Sequence, residues 1–164
     1  MRAKQKILYL HGLESPQGGP KVDFLSKKCF VHAPEMDYTR HDIFDFIIKT
    51  VNEFKPDIII GSSMGGYTAF ILGALYKIPV LAFNPALHSR TIEPNYPEFV
   101  KHHIPNKFTV VIGEEDTLIE GNRTLEWLKD NIKDKFVDWK VEHVEGMGHR
   151  VPLDVFTDMY NKIV

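Results

Sequence analysis

Continuous apolar runs and helical patterns take turns along this chain. The runs KILYL (Lys6 to Leu10), DIII (Asp57 to Ile60), VLAF (Val80 to Phe83) and TVVI (Thr109 to Ile112) show no in–out alternation, as expected of strands covered on both faces. Between them Ile43, Phe44, Ile47, Ile48, Val51 and Phe54 recur at helical spacing, and residues 64–76 are apolar nearly all round, like a helix lying centrally on a sheet. The pattern predicts an α/β fold with a mainly parallel sheet and helices on both faces. Strands are expected near 6–10, 29–33, 57–62, 79–83, 108–112 and 137–144, and helices near 21–28, 41–54, 64–76, 119–130 and 153–163. Only Trp139 to Val144 alternates, which places the last strand at a sheet edge.

One segment carries no sustained period. Asn84 to Lys107 holds four prolines and three histidines and is too long for an ordinary connection, so it reads as a functional excursion, a short cap over about 84–107. The remainder shows no repeat, low-complexity tract or linker, and 164 residues suit a single domain spanning 1–164. A formal net charge of -2 gives nucleic acid and acidic membrane no reason to bind. The opening MRAKQKILYLHG has too short an apolar stretch for a signal-peptide core, and no run approaches the ~20 residues of a membrane span, so a cytoplasmic location is expected. Cys29, the single cysteine, reads as a buried structural thiol, and no pattern points to a metal.

The chemistry gathers around IIIGSSMGGY, Ile58 to Tyr67. Gly61-Ser62-Ser63-Met64-Gly65 fits G-x-S-x-G with Ser63 at the centre; Ser62 has Ile60 and Met64 at the flanking positions and does not fit. Small residues alone could reflect a tight strand-to-helix turn. The same setting, an apolar run ending where a helix opens, is that of a nucleophile elbow, which lifts a serine above the carboxyl edge of the sheet. Helix N–H groups then face charge developing on a bound carbonyl oxygen.

A serine hydroxyl is a weak nucleophile near neutral pH and needs a histidine to take its proton, with a carboxylate to orient that histidine. His149, in the glycine-rich Glu145-Gly-Met-Gly-His149 after the last strand, would emerge on the same edge as Ser63. His11 follows the first strand and reads as a loop-shaping residue; His32, His41, His88, His102, His103 and His143 have simpler surface or packing roles. Among the acids of Gly113-Glu-Glu-Asp-Thr-Leu118, Asp116 is the choice and Glu115 the reserve. The order Ser63, Asp116, His149 is that of an α/β-hydrolase triad.

The chain resembles the α/β-hydrolase superfamily, and within it the small YqiA-like bacterial esterases, through Tyr9 to Lys21, Gly61 to Ala69, Phe83 to Leu87, Glu114 to Ile119 and Glu145 to His149. The resemblance implies a Ser63–His149–Asp116 triad, oxyanion donors in the backbone N–H groups of Leu13 and Met64, hydrolysis of carboxylic esters or thioesters, and no cofactor. It also implies a reduced, six-stranded sheet in the order 2-1-3-4-5-6. Leu87, Ile92, Tyr96, Phe99 and Ile104 of the excursion could line an acyl pocket, Tyr96 and Phe99 foremost, the alternative being that they cover the helices below. A roof of about twenty residues would favour acyl chains of short to medium length. The competing reading is a hydrolase fold kept as a binding or interaction module without activity. A phosphate site is the weaker competitor, since GSSMGG fits neither nucleotide-binding glycine pattern and no lysine follows it.

Overall fold

The computed structural model describes residues 3–164. Six parallel strands form one sheet: β1 (Lys6–Leu10), β2 (Phe30–His32), β3 (Ile58–Ser62), β4 (Val80–Phe83), β5 (Lys107–Gly113) and β6 (Asp138–Val144). They lie in the order β2-β1-β3-β4-β5-β6, and every pairing is parallel. The expected sheet order therefore holds, and "mainly parallel" becomes wholly parallel. Both edges are thin in apolar cover: β2 has three residues, and β6 is nowhere fully buried.

Side chains leave alternate faces of a strand, so each inner strand feeds two cores. Leu8, Leu10, Ile59, Val80, Ala82, Val110 and Ile112 go to one. There they meet α2 (Ile43–Phe54), α3 (Met64–Tyr76) and α4 (Gly121–Asn131). Ile7, Tyr9, Ile60, Leu81, Phe83 and Val111 go to the other, under α1 (Pro20–Ser26) and α5 (Leu153–Ile163). Phe156 of α5 anchors that face, its ring 5.2 Å from Phe83 and 6.1 Å from Tyr9. On the first face α3 lies against β1, β3 and β4, and its residues Met64 to Gly73 are all buried. That central position explains why its sequence is apolar nearly all round.

The excursion from Asn84 to Lys107 forms no helix beyond a short 3₁₀ turn at Glu98–Val100. Its first half is held by Arg90, whose Nη1 donates to the carbonyls of Ala86 and Leu87 while Nε donates to Glu93. The guanidinium also lies 4.0 Å from the centre of the Tyr67 ring. Its second half packs down onto α3: Tyr96 and Val100 are buried, and the Tyr96 hydroxyl is 2.8 Å from Thr68 Oγ1. Cys29 is buried with Sγ 3.0 Å from the Tyr160 hydroxyl. Among the described residues no helix is long and apolar enough to cross a membrane.

Candidate active site

Ser63 sits between β3 and α3 with φ 54° and ψ -117°, a conformation that a side-chain-bearing residue adopts only when its surroundings enforce it. The enforcement is visible. Ser63 N–H donates to Phe83 O at the end of β4, and Ser63 O accepts from both Tyr67 N–H and Ala86 N–H. Gly61 and Gly65 then allow strand and helix to pass in contact: a Cβ on Gly61 would overlap the Gly65 carbonyl, and one on Gly65 would overlap the Leu10 carbonyl of β1. The glycines of the G-x-S-x-G run are thus explained by backbone packed on backbone.

The hydroxyl, an imidazole and a carboxylate stand in series. Ser63 Oγ lies 3.0 Å from His149 Nε2, and His149 Nδ1 lies 2.8 Å from Asp116 Oδ2. The Asp116 side chain is fully buried and that of His149 is 28% exposed. The other carboxylate oxygen, Oδ1, accepts from the N–H groups of Leu118 and Ile119 at 2.9 Å each, so both acceptor atoms are aimed by their partners. A carboxylate at Oδ2 requires the proton on His149 Nδ1, which leaves Nε2 free to accept from the serine. Glu115 is exposed, with only its backbone N–H tied, to Met147 O. The arrangement is one in which a hydroxyl proton can pass to imidazole as the oxygen attacks an electrophile.

Leu13 and Met64 both line the cavity that holds Ser63 and His149, and among the described residues neither N–H is donated to another protein group. Met64 is the first residue of α3, where helix N–H groups lack internal partners. Leu13 lies in a loop pinned by His11. Met36 N–H donates to His11 Nε2, so the ring proton is on Nδ1 and is donated to Gly12 O at 2.6 Å, while the Tyr38 hydroxyl donates to His11 O. His11 is buried and serves the loop, as its position after β1 suggests.

The cavity measures about 550 Å³. Its apolar wall comes from Leu13, Met64, Ala86, Leu118, Ile119 and Val151. Tyr96 and Phe99 do not contribute, which corrects the expectation from sequence. Tyr96 is packed between Phe44 and Tyr67 with its hydroxyl on Thr68, and Phe99 is 72% exposed. Leu87, Ile92 and Ile104 likewise turn to the core. Among the described residues no three His, Cys, Asp or Glu side chains are grouped as a metal would require.

Sequence reasoning missed Asn84. Buried at the end of β4 with φ 41°, it donates through Nδ2 to Gly148 O and His149 O and accepts Gly113 N–H on Oδ1. One amide therefore ties the loop carrying His149 to the strand end leading to Asp116. Its type was a usable signal, because asparagine tolerates positive φ better than most residues. Asn84→Ala removes all of these bonds and leaves Gly113 N–H unpaired, for an expected stability loss of roughly 2–3 kcal/mol. If the amide also sets the imidazole position, kcat on a simple ester falls by roughly one to two orders of magnitude with KM little changed. Melting and steady-state kinetics read the two effects separately. A lowered melting point with unchanged kcat would reduce Asn84 to a structural residue.

Solved structures share this fold over nearly the whole chain. A monoacylglycerol lipase from Paleococcus ferrophilus is 16% identical, with 96% of this chain and 91% of that one covered and a TM-score of 0.68. The corresponding values for esterase PE8 are 17%, 99%, 94% and 0.61. For an α/β serine hydrolase without a lid from Xanthomonas campestris they are 13%, 98%, 79% and 0.60. At such identities the likeness speaks for the fold, which is that of the α/β-hydrolase superfamily. In sequence, residues 6–98 match a family described as Uncharacterised protein family (UPF0227). The match takes in Leu13, Ser63 and Met64 and spans more than half of the chain, so this α/β-hydrolase-fold protein belongs to the UPF0227 family.

Proposed function

We propose that the protein is a serine hydrolase that cleaves carboxylic esters or thioesters through an acyl-enzyme on Ser63. The observation that carries the reading is the unbroken hydrogen-bonded series from Ser63 Oγ through His149 to the buried Asp116. His149 Nε2 takes the hydroxyl proton while Oγ attacks the acyl carbonyl; the Leu13 and Met64 N–H groups hold the oxyanion. The imidazolium, oriented by Asp116, next gives its proton to the departing alcohol or thiol. Water then enters the vacated position, loses a proton to His149, and releases the acid.

The cavity supports short to medium acyl chains. Its apolar wall is built largely from loop residues around the elbow, with Ala86 as the excursion's apolar contribution. Tyr96 and Phe99 lie away from it and do not extend the space. Each methylene that fits adds up to ~0.8 kcal/mol of binding, and the gain ends when the wall does.

Labelling with a fluorophosphonate tests the reading. Wild type is expected to take one adduct, on Ser63, and Ser63→Ala none. The same preparations assayed on p-nitrophenyl esters should show kcat/KM rising from acetate and falling before the longest soluble chain. Equal labelling of both proteins would end the assignment; labelling of neither, with no turnover, would favour a binding module on the same fold.

A further inference from the structure

The cavity around Ser63 is walled unevenly in charge. Three cations line it, Lys21 of α1, Arg90 of the excursion, and Arg150, which follows His149 directly. Arg90 is already compensated, since its guanidinium binds Glu93 and the carbonyls of Ala86 and Leu87. Lys21 and Arg150 are not: among the described residues, neither lies within ion-pair distance of a carboxylate. Glu14, the one acid in the lining, is exposed and pairs with neither.

These two cations also bear on each other. Lys21 is half-buried with Nζ 5.9 Å from the centre of the Phe156 ring, and burial, followed by the Arg150 charge, pushes its ammonium below the ordinary lysine value. Arg150 is exposed while Lys21 is half-buried, and an anion received between them relieves their repulsion and offsets the burial of the Lys21 ammonium. The positive spot is local, because the chain as a whole carries a formal charge of -2. Its placement beside His149 matters. In the mechanism above the departing atom takes its proton from His149 Nε2, and Lys21 and Arg150 line the same cavity as that imidazole.

We infer that Lys21 and Arg150 receive a carboxylate or phosphate carried by the departing alcohol or thiol of the substrate. The inference rests on the hydrolase reading and narrows its substrate class to acyl esters or thioesters of anionic leaving groups. The neutral apolar wall remains for the acyl chain.

Butyrate esters with matched phenolic leaving groups test it: 4-(carboxymethyl)phenyl, 4-(phosphonomethyl)phenyl and the neutral 4-(carbamoylmethyl)phenyl. Wild type should favour the anionic esters roughly tenfold in kcat/KM at low ionic strength, with the preference shrinking as salt is added. Whether carboxylate or phosphonate is preferred distinguishes the two anion sources. The ratio should fall toward one in Lys21→Met/Arg150→Gln and persist in Lys129→Gln, an exposed charge on α4. Melting and fluorophosphonate labelling establish that the double variant is folded. A ratio near one in wild type, a ratio that survives in the double variant, or a preference confined to the acyl side (p-nitrophenyl hydrogen glutarate over pentanoate) would overturn the inference. Should no ester be turned over, calorimetric binding of (4-hydroxyphenyl)acetate against its neutral amide reads the site directly. Tighter binding of the anion to wild type than to the double variant supports it, and equal binding overturns it.

Discussion

Asp116→Asn is expected to lower kcat on a p-nitrophenyl ester by about four orders of magnitude, the loss seen when a triad carboxylate becomes an amide, while the protein still folds. The direction follows from the hydrogen bonds. Leu118 and Ile119 donate their N–H groups to Oδ1, so an asparagine must turn its carbonyl oxygen to them and its NH₂ toward His149. Nδ1 then accepts instead of donating, the ring proton moves to Nε2, and Ser63 Oγ loses the base that faces it at 3.0 Å. Shape and the backbone bonds are kept, so the melting temperature should change by no more than about 3 °C. Glu115→Gln, on an exposed neighbour, should change kcat less than about twofold. If the Glu115 variant proved the damaging one, or Asp116→Asn kept near-normal turnover, the assignment of the orienting acid would be wrong.

The choice between those adjacent acids shows what the chain discloses in sequence and what it hides. Strands buried on both faces write themselves as unbroken apolar runs, and β1, β3, β4 and β5 were legible for that reason, with the alternating β6 legible as an edge. Helix starts were less so. Ile119 reads as the first apolar residue of a helix expected from 119, yet its N–H caps Asp116 and its side chain faces the cavity; α4 begins only at Gly121. The excursion divides: Ala86, Ser89, Arg90 and Thr91 line the cavity, whereas Tyr96 and Phe99 lie away from it. An apolar residue in an aperiodic segment says only that it will be covered, and Tyr96 is covered by Phe44 and Tyr67, with its hydroxyl on Thr68, 28 residues away on α3. Asn84 was hidden by the same distance, its partners lying 29, 64 and 65 residues further on. Ser63, by contrast, carries its signal locally, because the strained turn demands small neighbours in fixed places.

Those small neighbours yield the largest expected effect on stability. Gly65→Ala should destabilise the protein by at least about 3 kcal/mol, at or beyond the upper end of ordinary overpacking, because the added Cβ overlaps the Leu10 carbonyl and comes within 2.7 Å of His11 O. Neither obstacle is a flexible side chain that could swing aside. Leu10 is the last residue of β1 and is paired with Gly61 in the sheet register, so α3 and the edge of the sheet must separate. For a chain of this size the cost corresponds to a melting temperature lowered by roughly 10 °C. Activity should fall with it. Met64 directly precedes Gly65, and Leu13 follows the His11 loop, so one displaced contact moves both N–H groups proposed to hold the oxyanion, with an expected loss of about a hundredfold in kcat for whatever remains folded. Gly148→Ala is the matched comparison: it stands next to His149, but its Cβ would meet nothing nearer than Glu115 O at 3.8 Å, and its melting temperature should stay within about 3 °C of wild type. Thermal unfolding of both variants, followed by kcat below their midpoints, decides the matter. A Gly65→Ala protein that melts like wild type would mean that the contact between α3 and β1 is looser than the close approach of their backbones requires.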